Sequence, residues 1–133
     1  MIQLYNTMGI CCCYNHMELT EDTYEIHAIR YDRLVALYIH LKRYFVYNSS
    51  VIQQLLALIN IFTQDNGFYD FTETQRYITE PLTVADFDKE AITHMLYHIE
   101  DISTWYAHYS ADFQLAYRRF LNCILFTEAI KYY

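Results

Sequence analysis

Gly9, Gly67 and Pro81 are the only glycines and the only proline in 133 residues, so nothing local breaks a helix across the long stretches between and beyond them. Apolar residues recur through those stretches at steps of three and four, the spacing of a helix that buries one stripe. The expectation is an all-α fold, a compact antiparallel four-helix bundle, because short connections make neighbouring helices antiparallel. A chain of this length buries on the order of two-thirds of its extended surface, so neither a metal nor a disulfide is needed for folding.

Residues 1–19 carry no helical period and read as an extended arm or short strand, which leaves 20–133 as the bundle of a single domain 1–133. Asp22 and Glu25 fit a capping box, and the first predicted helix runs from about Thr23 to Tyr47 with a seam of His27, Tyr31, Leu34, Tyr38, Leu41 and Phe45. Ser50 and Gln53 open the second, whose stripe is Val51, Leu55, Leu58, Ile59 and Phe62. Asn66-Gly67 ends it, with an Asn-Gly hairpin as the rival reading. An aromatic connector follows, with Phe68, Tyr69, Phe71 and Tyr77, in which Thr72 and Gln75 suit one helical turn before Pro81. Thr83 and Asp86 open the third helix, with Val84, Ala91, Ile92, Met95, Ile99, Ile102 and Tyr106 on one face. Ser110 and Asp112 suggest a break before a fourth that carries Phe113, Ala116, Phe120, Cys123, Ile124 and Thr127, although one unbroken rod is the alternative.

A net charge of −7 opposes nucleic-acid binding, and neither Lys42-Arg43 nor Arg118-Arg119 extends into a basic stripe. The longest apolar run, Val51 to Phe62, is interrupted by Gln53, Gln54 and Asn60 and is too short to span a bilayer. Cys11, Cys12 and Cys13 are consecutive and Cys123 is distant, which is no disulfide framework. The cysteine run suits acylation, metal binding or an apolar arm. No basic segment leads into an apolar one at the start, so no secretory leader is predicted, and the chain reads as soluble, reduced and cytoplasmic.

Two function classes stay open. Charged residues are only 19% of the chain and there are 15 tyrosines, so the helix surfaces are adhesive rather than salted. That favours a non-enzymatic interaction module, a homo-oligomer or the binder of a partner protein, of the size that viral and mobile-element accessory proteins often have. Its candidate contact residues are Phe68, Tyr69, Phe71, Tyr77 and Trp105. For the connector itself the first reading is a lid folded over one end of the bundle, since large aromatics usually bury, with a docking patch as the alternative.

The second class rests on Glu90, His94, His98 and Asp101, which follow at steps of four, four and three along one flank of the third helix. Two imidazoles one turn apart suit zinc or iron, with Cys123 from the fourth helix as a third ligand, His27 as a poorer one, and Glu90 or Asp101 to orient or bridge. A metal with an open position would activate water for hydrolysis or transfer. Against it, His94 and His98 suit ordinary boundary positions, ring body packed and tip wet, and Cys123 an ordinary buried one. No cofactor is required by the first class. No Gly-rich phosphate loop, no nucleophile elbow and no base beside the cysteine run other than His16 supports other catalysis.

His94-Met-Leu-Tyr-His98 resembles the H-x3-H of DinB-like and hemerythrin-like bundles, and His108 with Asp112 loosely resembles the late His and Asp of the latter. The resemblance covers only part of the third helix and its end, and implies a metal-binding four-helix bundle. The second helix has no histidine, and the step from His108 to Asp112 is one short of the hemerythrin pattern.

Overall fold

The computed structural model describes residues 21–45, 49–67, 69–78 and 86–127, and among them the chain is all-helical. The helices are α1 (Glu21–Leu41), α2 (Ser50–Asn66), α3 (Phe71–Gln75), α4 (Lys89–Ser103) and α5 (Ala111–Leu125), with a 3-10 turn at Tyr106–His108. None is long and apolar enough to cross a membrane. The expected arm, with Cys11, Cys12 and Cys13, lies outside the described residues, as do Pro81, Thr83 and Val84.

The chain divides into two units, Met1–Arg30 and Tyr31–Tyr133. In the first, the described part is the opening of α1, which exposes Tyr24, Ile26 and Ile29. His27 there is half-buried, and burial, with the charge of Arg30 second, holds its pKa below the ordinary histidine value.

The second unit holds the core. α2 and α5 are its principal helix pair, and the stripes read from periodicity are the ones that bury: Leu55, Leu58, Ile59 and Phe62 on α2, Phe113, Phe120 and Ile124 on α5. Leu34 and Leu41 of α1 and Met95 and Ile102 of α4 are also fully buried. Each such side chain is worth roughly 1.5–3 kcal/mol relative to exposure.

Helix ends follow from side-chain chemistry. The Ser49 hydroxyl, one residue before the expected cap at Ser50, accepts from the Ile52 amide at 3.3 Å. Gly67 closes α2 in the left-handed region at φ 69°, its amide donating to the Thr63 carbonyl at 2.8 Å, so the Asn-Gly hairpin does not form. Asp70, rather than Thr72, caps the single turn of α3 through the Glu73 amide. Asp88 caps α4 through the Ala91 amide at 3.0 Å, so this helix starts later than Thr83 and Asp86 suggested.

The expected first helix, to Tyr47, is too long. α1 stops at Leu41 and tightens into a turn in which the Tyr44 amide reaches the Leu41 carbonyl at 3.0 Å. The segment Tyr44-Phe45-Val46-Tyr47-Asn48 consists of aromatic, β-branched and Asn residues, all weak helix formers. The break before α5 does form. The Ser103 and Thr104 hydroxyls donate back to the Glu100 and Asp101 carbonyls at 2.7 Å each, competing with continuation of α4. Ser110 then caps α5 by accepting from the Phe113 amide at 3.1 Å and donates to Asp65 of α2 at 2.5 Å.

Candidate functional site

The aromatic residues separate into two sets. Phe62 sits at the centre of the inner set, its ring centroid 6.5 Å from Trp105, 5.9 Å from Phe113, 5.2 Å from Tyr109 and 5.9 Å from Tyr69. Tyr31 stacks on Tyr69 at 4.5 Å with the rings 16° apart, and its hydroxyl shares a 2.6 Å hydrogen bond with Thr74 of α3. Phe71 stands edge-on to Tyr38 at 5.3 Å. The described connector residues Tyr69 and Phe71 thus fold down on the core, as a lid does.

Of the five expected contact residues, Phe71 and Trp105 are buried in the core and Tyr69 is half-buried against it. Their burial follows from neighbours on other helices that complete a ring cluster. Phe68 lies outside the described residues. Tyr77 is different, 75% exposed, with its hydroxyl on Glu73 at 3.3 Å. Tyr97 of α4 at 58% and Phe126 at 72% join it as exposed aromatics that the sequence reading left unmarked. For Tyr97 the signal was available, since it falls opposite the apolar stripe of α4.

The polar flank of α4 faces α1, not α5. His40 Nε2 donates to the Ala91 carbonyl at 2.9 Å, and its ring centre lies 5.8 Å from His94 and 6.1 Å from His98. Three imidazoles from two helices therefore meet at one seam. His94 is exposed, whereas His98 is half-buried and its Nδ1 is buried with no hydrogen-bond partner among the described residues. Burial lowers the pKa of both His40 and His98 below the ordinary histidine value. The Ala91 carbonyl works the other way on His40, and His40 and Arg33 add to the depression at His98. Nothing in the spacing announces His40, because it lies 51 residues from its acceptor and belongs to no pattern with His94.

The rest of the expected ligand set is not assembled there. Asp101 is engaged by Arg33 Nε at 3.8 Å and by the Trp105 indole N–H at 3.4 Å, Glu90 is exposed, and Cys123 is a free thiol packed part-buried against the core. Cys123 does not meet the histidines because their flank of α4 is turned to α1. Among the described residues no group of three or more His, Cys, Asp or Glu is arranged to hold a metal ion. His108 and Asp112 are both exposed, one on the 3-10 turn and the other in the first turn of α5. No protein-family model matches the chain, and neither a curated protein nor a solved structure matches it.

Proposed function

We propose that this protein is a non-enzymatic interaction module of the cytoplasm, its longer helices forming a compact antiparallel bundle that binds a second copy or a partner protein. The observation that carries the reading is the exposure of Tyr77 and Tyr97 outside a core that closes without them. Tyrosine supplies large contact area at low entropic cost, and it is enriched where proteins meet. Sedimentation velocity over a concentration series tests the self-binding form. Association that weakens at least tenfold on Tyr77→Ala with Tyr97→Ala, with the far-UV spectrum unchanged, supports it; undiminished association of the folded variant overturns the assignment of these rings.

A second reading, a zinc- or iron-binding bundle, has one observation in its favour: the His40 ring stands 5.8 Å from His94 and 6.1 Å from His98, so a third imidazole is at the seam, and binding would require the three to draw closer than they stand. His40 Nε2–H on a backbone carbonyl leaves Nδ1 as the lone pair, the orientation that such second contacts impose on metal-binding histidines. Elemental analysis of protein purified without tag or chelator decides it. About one metal per chain, abolished by His40→Ala with His98→Ala, supports a metal centre; a metal-free chain overturns it.

A further inference from the structure

We propose that the outer face of α4 in one copy docks on the outer face of α5 in another, so that the protein associates head to tail. The inference rests on the interaction-module reading and narrows it to one occupant, a second copy of this chain.

The α4 face exposes Leu96 and Tyr97 between two exposed carboxylates, Glu90 and Glu100. The α5 face exposes the adjacent pair Arg118 and Arg119, with exposed Leu115 one turn before and Leu125 and Phe126 about two turns after. One face is apolar and acidic, the other apolar and basic. Among the described residues none of these four charged side chains makes an ion pair. The net charge of −7 makes two copies repel in most orientations, and the exposed arginine pair is a place where an acidic face of another copy is welcome.

The chemistry fits in detail. Glu100 lies three residues beyond Tyr97 on α4, hence on the same side, so a guanidinium seated there meets a carboxylate and a ring face together. Arginine suits both contacts better than lysine. Each face has one charge of the opposite sign, Lys89 beside Glu90 in the first turn of α4 and Asp112 in the first turn of α5, so the acidic character of the α4 face is carried by Glu100 beside Tyr97, at the far end of the helix from Lys89.

Because the two faces differ and each copy has both, the contact is heterologous and propagates into rings or chains instead of stopping at a symmetric pair. A contact of one helix on one helix is small, so it is weak and salt-sensitive.

Charge reversal gives the test. Glu90→Arg with Glu100→Arg makes both faces basic, and Arg118→Glu with Arg119→Glu makes both acidic. All four positions are exposed, so the fold is spared. By sedimentation velocity the wild type should grow in mass with concentration and return toward monomer in about 0.5 M salt. Each double variant alone should lose at least tenfold in association, and an equimolar mixture of the two should recover it, since each then offers the other a complementary face. Neutral Glu90→Gln with Glu100→Gln should fall between. Association in the wild type that neither reversal weakens, or that the mixture does not recover, overturns this pairing of faces and leaves self-association elsewhere on the surface standing. A wild type that stays monomeric throughout overturns head-to-tail docking and leaves only a different partner protein for the module.

Discussion

The ring cluster around Phe62 and the histidine seam between α1 and α4 are both built from aromatic rings, yet they differ in how far they have left water. Phe62, Trp105 and Phe113 are buried hydrocarbon, with the indole N–H of Trp105 placed on Asp101. His40 and His98 are only half-buried, each has a nitrogen that must lose or keep a proton, and His98 Nδ1 has no hydrogen-bond partner among the described residues. Burial of Phe62, Trp105 and Phe113 contributes stability that does not depend on pH, since none of these three rings titrates. In the second region, the contribution changes with the proton concentration, because the folded form holds the imidazoles neutral where the unfolded chain protonates them.

The sharpest way to break the contrast is at its apolar pole. Phe62→Ala removes the ring that touches Tyr31, Tyr69, Trp105, Tyr109 and Phe113, and should cost roughly 3–5 kcal/mol in urea unfolding. A loss below about 1 kcal/mol would mean that the cluster is not tightly packed.

The seam gives the next effect, with its sign fixed by the lowered pKa values. Both histidines start from an ordinary value of 6.5 and are depressed in the fold. Their contribution is fully present above that value and is lost as the pH falls through it toward the lower folded values. Midpoints of urea unfolding between about pH 5 and 8 should therefore decline on the acid side, and His98→Leu should flatten the decline while sparing stability at the alkaline end. An undiminished slope would place the titrating groups elsewhere.

Gly67→Ala is the smallest and serves as a reference for both regions. A methyl group there meets nothing within 4 Å, so the cost is the backbone's alone at φ +69°. About 1 kcal/mol is expected, independent of pH. A larger loss, or one that varies with pH, would couple the cap of α2 to the seam.

How much of this was legible in the sequence depended on whether the cause was local. The stripes of α2, α4 and α5 could be read because a helix buries residues at fixed steps. The break at Ser110 could be read because Ser accepts from the amide three residues on, and the end of α2 because Gly67 alone adopts the left-handed cap without strain. Caps at Ser49 and Asp88 were missed by one to five residues, since neighbouring Ser50 and the more distant Thr83 offer the same chemistry and only the fold chooses between them. His40 was missed for a different reason: its significance lies in the meeting of α1 and α4, which no spacing encodes. Burial of Phe71 agrees with the lid reading of the connector, whereas that of Trp105 depends on Phe62 and Phe113 from other helices, which no local pattern encodes.

The bond from Ser110 to Asp65 spans 45 positions of sequence and joins the start of α5 to the end of α2. A ribosome releases these two helices seconds apart. Until α5 emerges, Leu55, Leu58 and Phe62 have no α5 surface to cover them, and α3 and α4 must fill the interval. Pairing of α2 with α5 is therefore a non-local closure, with a larger loop entropy to overcome than the docking of neighbouring helices, and until it occurs the α2 stripe of a nascent chain lacks its α5 cover.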